Sequence, residues 1–317
     1  MLTMTTLRRL WNTDRPLTAT GVLMLAALAA TLPALWLDPR TIAGAPAWLK
    51  PAKFAASTAI YVLTLAWIFT VLPEWTRMRR RVGWTTAIVL VFEVGAIYVQ
   101  AWRGQISHFN VGTPLDAAIF AAMGLGIVVQ MLVSAAVAVA LWRQRFQDAA
   151  LGWALRLGMT ISIIGASTGG LMTRPTAAQL AEARATHRLA VAGAHTVGAP
   201  DGGAGLPGTG WSLSHGDLRV PHFLGLHAMQ ALPVVALLLT RRREMPHRRV
   251  RLTLAAAGSY FTLFALLLAQ ALNGQSIAAP SPAFLAAFAV WAGATATVVA
   301  VAMRRQTTAS PSKVVLA

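Results

Sequence analysis

The densest run of chemically capable side chains is His215-Gly-Asp217-Leu-Arg219-Val-Pro221-His222-Phe-Leu-Gly-Leu-His227-Ala-Met-Gln230. Imidazoles, a carboxylate and a guanidinium this close together can ligate a metal, exchange protons or bind an anion. Pro221 suits the first turn of a helix, which sets His222 near its start and His227 more than a turn deeper. On a straight helix those two rings point about 140° apart, so one metal would not draw both from a single helix. Either pairs better with His108, in the segment Ser107-His108-Phe109-Asn110, or with His195. We therefore expect His108, His222 and His227 as metal ligands. Histidines from different helices can hold a b-type haem, copper, non-haem iron or zinc. Arg103 and Arg219, with Arg174 nearby, fit the propionates of such a cofactor or another anion. The competing expectation leaves these histidines as interfacial or bundle-bonded side chains with no ligand.

Glu93 is the second focus. It lies in Phe92-Glu93-Val94-Gly95-Ala96-Ile97-Tyr98-Val99-Gln100, inside an apolar stretch and about 15 Å along a helix from Arg103. A carboxylate at that depth is costly, and its default reading is functional, as a catalytic group, a proton carrier or a base behind a metal ligand. Its alternative is a protonated side chain bonded to a neighbouring helix. Gln100, seven residues on, shares its face. Lys50-Pro-Ala-Lys53 fits an anionic headgroup or substrate, or two lysines snorkelling to the interface. Gly165, Gly169 and Gly170, beside Ser167 and Thr168, fit close helix approach better than phosphate binding. His187 and His247 read as surface residues. With no cysteine in the chain, disulfides, thiolate catalysis and Cys-ligated metals are excluded.

What must position these groups is a membrane bundle. Of 317 residues, 56% are hydrophobic and 12% charged, well below the charged fraction of about 25% in soluble domains. The net charge of +17 comes from arginines clustered between apolar runs, a topology signal rather than a nucleic-acid face. Eight stretches are long enough to span a bilayer: 17–37, 52–72, 84–103, 115–141, 151–172, 222–240, 252–273 and 283–303. The first is too long for a signal peptide and reads as a retained span.

Eighteen Lys and Arg fall on one side, including Arg77, Arg79, Arg80, Arg81, the six between Arg241 and Arg251, and Arg304, Arg305 and Lys313; eight fall on the other. The positive-inside rule then places both termini in the cytoplasm and the single long connection, 173–221, outside. Within that connection, Thr176 and Gln179 form a capping-box pattern that predicts a surface helix over 177–192. The Gly- and Pro-rich run 198–210 predicts irregular backbone. The fold class is all-α: one transmembrane domain over 1–317, expected in a bacterial plasma membrane.

The polar residues gather at the outer ends of the spans, so a site should open outward. Three functions compete. One is a redox or metal-dependent protein holding haem b or a transition metal. Another is a proton-coupled transporter, or a lipid- or anion-binding protein, with Lys53, Arg103 and Arg219 attracting an anionic ligand. The third is a structural subunit whose long loop meets a partner. The histidine spacing does not match the same-helix pairs of cytochrome b or ferric-reductase-like proteins, and no zincin HExxH is present. Eight spans without an evident repeat or broken helix weigh against a secondary carrier.

Overall fold

The computed structural model describes residues 4–303; Arg304, Arg305 and Lys313 of the sidedness count lie outside them. A short helix, α1 (Met4–Thr13), precedes the membrane-length helices α2 (Arg15–Leu37), α3 (Leu49–Phe69), α4 (Thr76–Trp102), α5 (Pro114–Arg143) and α6 (Ala149–Ser167). One turn, α7 (Gly169–Met172), and a loop helix, α8 (Ala177–Thr186), follow. Helices α9 (Arg219–Leu226) and α10 (Ala228–Arg241) share one span, and α11 (Pro246–Leu272) and α12 (Pro282–Met303) complete the order. Seven helices are long and apolar enough to cross a bilayer, and the bent pair α9–α10 makes an eighth among the described residues. The chain is an all-α, multi-pass integral membrane protein, and each expected span overlaps its helix or helix pair closely.

Local chemistry accounts for several helix starts. Asp14 accepts from Leu17 N at 3.0 Å and Asp148 from Leu151 N at 3.1 Å; both satisfy an otherwise orphaned donor. At α5, Thr113 does the same for Asp116 N at 3.1 Å, with Pro114 in the first helical position. The capping box forms as expected, Thr176 and Gln179 each accepting from the other's backbone N–H. Helix α8 nevertheless stops at Thr186, short of 192, with His187 in a left-handed cap at φ 54°. The residues beyond it find tertiary partners instead. Ala190 O accepts from Val111 N, Ala192 N donates to Phe109 O and Ala194 N donates to Met172 O, at 2.8–3.0 Å. This segment lies as an extended strap across the end of the bundle.

A two-stranded hairpin, β1 (Thr41–Ile42) with β2 (Ala45–Pro46), follows α2. The long connection is ordered by two further devices. Within it β3 (Thr196–Val197) pairs antiparallel with β4 (Gly216–Asp217), closing the stretch between them. Buried Phe109, Met172, Leu218 and Ala271 form an apolar seal beneath it.

One expectation is corrected outright: the sixth span is not straight. Helices α9 and α10 meet at His227 with a bend of 45°. Broken backbone at membrane depth needs polar partners, and Ser162 of α6 supplies them. Its hydroxyl donates to Leu226 O at 2.8 Å and accepts from Met229 N at 3.0 Å. The Tyr260 hydroxyl of α11 donates to Leu224 O at 2.6 Å. Gly165 permits the approach, since a Cβ there would sit 2.4 Å from the Gly225 Cα.

Arg156, a cation inside the fifth span, proves structural. Its guanidinium donates to Leu141 O at 3.1 Å and Gln144 O at 2.8 Å, closing the end of α5. It lies 5.3–5.9 Å from the ring centres of Trp142, Phe146 and Trp153. Hydrogen bonding and cation–π contact together offset the desolvation of a cation in this place.

Candidate functional site

The connection between α4 and α5 folds back into the bundle and carries His108 with it. Gly104 turns the chain at φ 70°, and Phe109 holds a left-handed φ of 65°, a conformation that a bulky residue keeps only when its surroundings enforce it. Here the Phe109 ring is buried in the seal described above. His108 is thereby set with Nε2 at 3.6 Å from Glu93 Oε1. That separation lies just beyond a hydrogen bond, within reach of a small motion or a bridging water. Glu93 is 3% exposed, and its Oε2 has no hydrogen-bond partner among the described residues.

Two residues from the start of α3 complete this cluster. The Phe54 ring packs on His108 at 5.6 Å between centres, and Lys50 Nζ lies 5.8 Å from the centre of Phe54. The charge of Lys50 acts on both Glu93 and His108. Among the described residues Lys50 has no acceptor in a hydrogen bond or ion pair, whereas Lys53 donates to Thr209 O at 3.0 Å.

The two arginines expected to hold an anion are committed elsewhere. Arg103 donates to Asp116 Oδ1 at 2.8 Å and also to Gln100 Oε1. Buried Asp116 further accepts from Gln100 Nε2 at 2.9 Å and from Thr113 Oγ1 at 2.6 Å. Arg219 forms a two-pronged pair with Asp217, Nε to Oδ1 at 2.9 Å and Nη2 to Oδ2 at 2.6 Å, and reaches Gly210 O at 2.6 Å. Both guanidiniums brace loops, whereas Lys50 has no acceptor among the described residues.

Histidine placement departs from expectation in one respect. His108 and His222 come within electrostatic reach of one another and of His195. His227 stands apart at the helix break, its ring 4.3 Å from Phe223. Among the described residues no contact joins it to His108 or His222. Among the described residues no three His, Asp or Glu side chains are arranged to hold a metal ion.

His195 and His222 are nevertheless oriented. His195 Nδ1 donates to Asp201 Oδ2 at 2.5 Å, and Asp201 also accepts from the backbone and hydroxyl of Thr196. His222 Nδ1 donates to Gly165 O at 3.0 Å. A Cβ at Gly169 would lie 3.2 Å from His222 Cε1, so the glycine leaves room for the ring. Asp201 escaped sequence reasoning because it sits in Asp201-Gly-Gly, a pattern that reads as a turn. Phe54 was one apolar residue among many.

Burial pushes the His108 imidazole well below its ordinary value, and the charges of Lys50, His195 and His222 act in the same direction. His195 is also lowered, because its burial outweighs the attraction of Asp201. Burial opposes ionisation of Asp201, yet its bonds to His195 and Thr196 prevail and hold it below the usual carboxylate range. Both imidazoles are thus neutral where unfolded histidine, at about pH 6.5, begins to take up protons. Their contribution is complete above that pH and is lost as pH falls through it, by up to about 1.4 kcal/mol per unit for each histidine. These two histidines should therefore lower the melting temperature in detergent as pH falls from 7 to 5. His108→Gln and His195→Gln should each flatten that decline, and an unaltered slope in both variants would contradict the assignment.

No protein-family model, curated protein or solved structure matches the chain.

Proposed function

We propose that the chain is a proton-linked carrier of a small anion in a bacterial plasma membrane, with the His108 end of the bundle facing outward. The observation that carries this reading is Lys50, which among the described residues is an ammonium without an acceptor, near a buried carboxyl whose Oε2 also lacks a partner. An anion on Lys50 would sit at the start of α3, where the helix dipole adds to its attraction. Glu93 and His108, 3.6 Å apart, then form a pair able to take up or release the accompanying proton. The break at His227 supports this reading, because discontinuous spans line the binding sites of many carriers.

The test uses purified protein in liposomes loaded with a pH-sensitive dye, challenged with inward gradients of acetate, succinate, phosphate and sulfate. At least one anion should acidify the lumen. Lys50→Gln should raise the half-saturating concentration of that anion about 10- to 100-fold, the value of a hydrogen bond to a charged group. If none of the four acidifies the lumen above protein-free liposomes, proton-linked anion transport is overturned.

A specific observation also favours a redox reading with haem b or a metal. His195 and His222 each donate Nδ1–H to an acceptor, which is how ligating histidines are held, and among the described residues neither Nε2 has a hydrogen-bond partner. A Soret band or stoichiometric metal in the purified protein, lost in His195→Ala and His222→Ala, would replace the carrier reading with this one.

A further inference from the structure

At the opposite end of the bundle, where the arginines concentrate, a crevice of about 670 Å³ opens between the start of α4 and the flank of α5. Its polar lip carries Glu74, Arg77 and Arg81, and its walls include Trp75, Met78 and Val133. Arg77 and Arg81 are one helical turn apart and share a face. Neither they nor Glu74 makes a hydrogen bond or ion pair with protein among the described residues. The contrast with adjacent Arg79 is instructive, since that side chain turns inward and donates to Phe69 O at 3.1 Å. Trp75 is fixed in the wall by a 3.0 Å bond from its indole N–H to Gln144 Oε1.

We propose that this crevice binds the headgroup of phosphatidylethanolamine. Two guanidiniums on one face suit a phosphate, which they bind through paired N–H···O contacts. Glu74 on the same lip suits a primary ammonium and would repel a headgroup carrying only negative charge. A choline head cannot donate hydrogen bonds from its quaternary nitrogen, which favours ethanolamine over choline. The apolar wall toward Val133 continues into the hydrocarbon region and accepts the start of an acyl chain. Topology-setting arginines without such a crevice would attract anionic lipids in general and discriminate little.

Native mass spectrometry of the intact protein, released from mixed micelles holding equal dioleoyl phosphatidylethanolamine, phosphatidylglycerol and phosphatidylcholine, tests the site. Phosphatidylethanolamine should be retained about tenfold over phosphatidylcholine, and Arg77→Gln/Arg81→Gln should remove that excess. Glu74→Gln should move the preference toward phosphatidylglycerol. This variant deletes no cation, so it tests the assignment even where the double variant fails to fold. Equal retention of the three lipids, preference of the parent protein for phosphatidylglycerol, unchanged phosphatidylethanolamine retention in the double variant, or an unmoved preference in Glu74→Gln would each overturn the proposal.

Discussion

Glu93→Gln is expected to reduce anion-driven proton entry by about 100-fold or more while leaving the protein folded. The carboxamide keeps the shape of the side chain, and because Oε2 has no hydrogen-bond partner among the described residues, no bond to that atom is lost there. The variant should still bind the anion, since Lys50 is untouched. What disappears is the capacity to hold a proton at a site from which water is largely excluded. Glu93→Asp keeps the capacity but withdraws the carboxyl from His108, already 3.6 Å away, so its flux should be intermediate. A structural Glu93 predicts the reverse pattern: a lower melting temperature and no change in flux for the protein that remains folded. Lumen pH and melting temperature on the same preparations separate the two, and parent-like flux in Glu93→Gln would end its role as proton carrier.

The spans were legible because a bilayer imposes one demand on every residue of a segment, so local composition carries the information. The bend at His227 was hidden for the opposite reason. Its broken hydrogen bonds are answered by Ser162 and Tyr260, each on another helix, and no local pattern declares a partner more than thirty residues away. At the site the deciding pairs are close in sequence, and what stays hidden is which groups pair. Asp217 and Arg219 lie two residues apart, yet residue types alone leave each as a free group, and it is pairing that commits Arg219 to Asp217. Asp116 did the same to Arg103. Lys50 gained in importance because its possible acceptors turned elsewhere, a fact that only geometry reports. Glu93 stands out in the sequence because an intramembrane carboxylate is expensive whatever surrounds it, and the structure places it buried beside His108.

The long connection offers the second large effect, because the bonds that fold its C-terminal part meet at one carboxylate. Asp217 is 2% exposed and accepts from Ser212 N at 2.8 Å, from Arg219 N at 3.0 Å and from the Arg219 guanidinium. It also belongs to β4, which holds β3 and hence the neighbourhood of His195 in register. Asp217→Ala leaves these donors without their acceptor. Breaking a buried ion pair typically costs about 3–5 kcal/mol, and because the Arg219 side chain is 31% exposed, water recovers part of that. The lower end, about 3 kcal/mol, is expected, with a fall in melting temperature of roughly 5 °C or more. The loss should be felt first in the connection itself, so limited proteolysis should cut within 198–210 faster than in the parent. Arg219→Met added to Asp217→Ala should recover part of the loss, because the stranded guanidinium is then gone, and the cycle of single and double variants isolates the pair. A melting temperature and cleavage rate indistinguishable from the parent in Asp217→Ala would mean that the apolar seal beneath the loop holds it without help from this carboxylate.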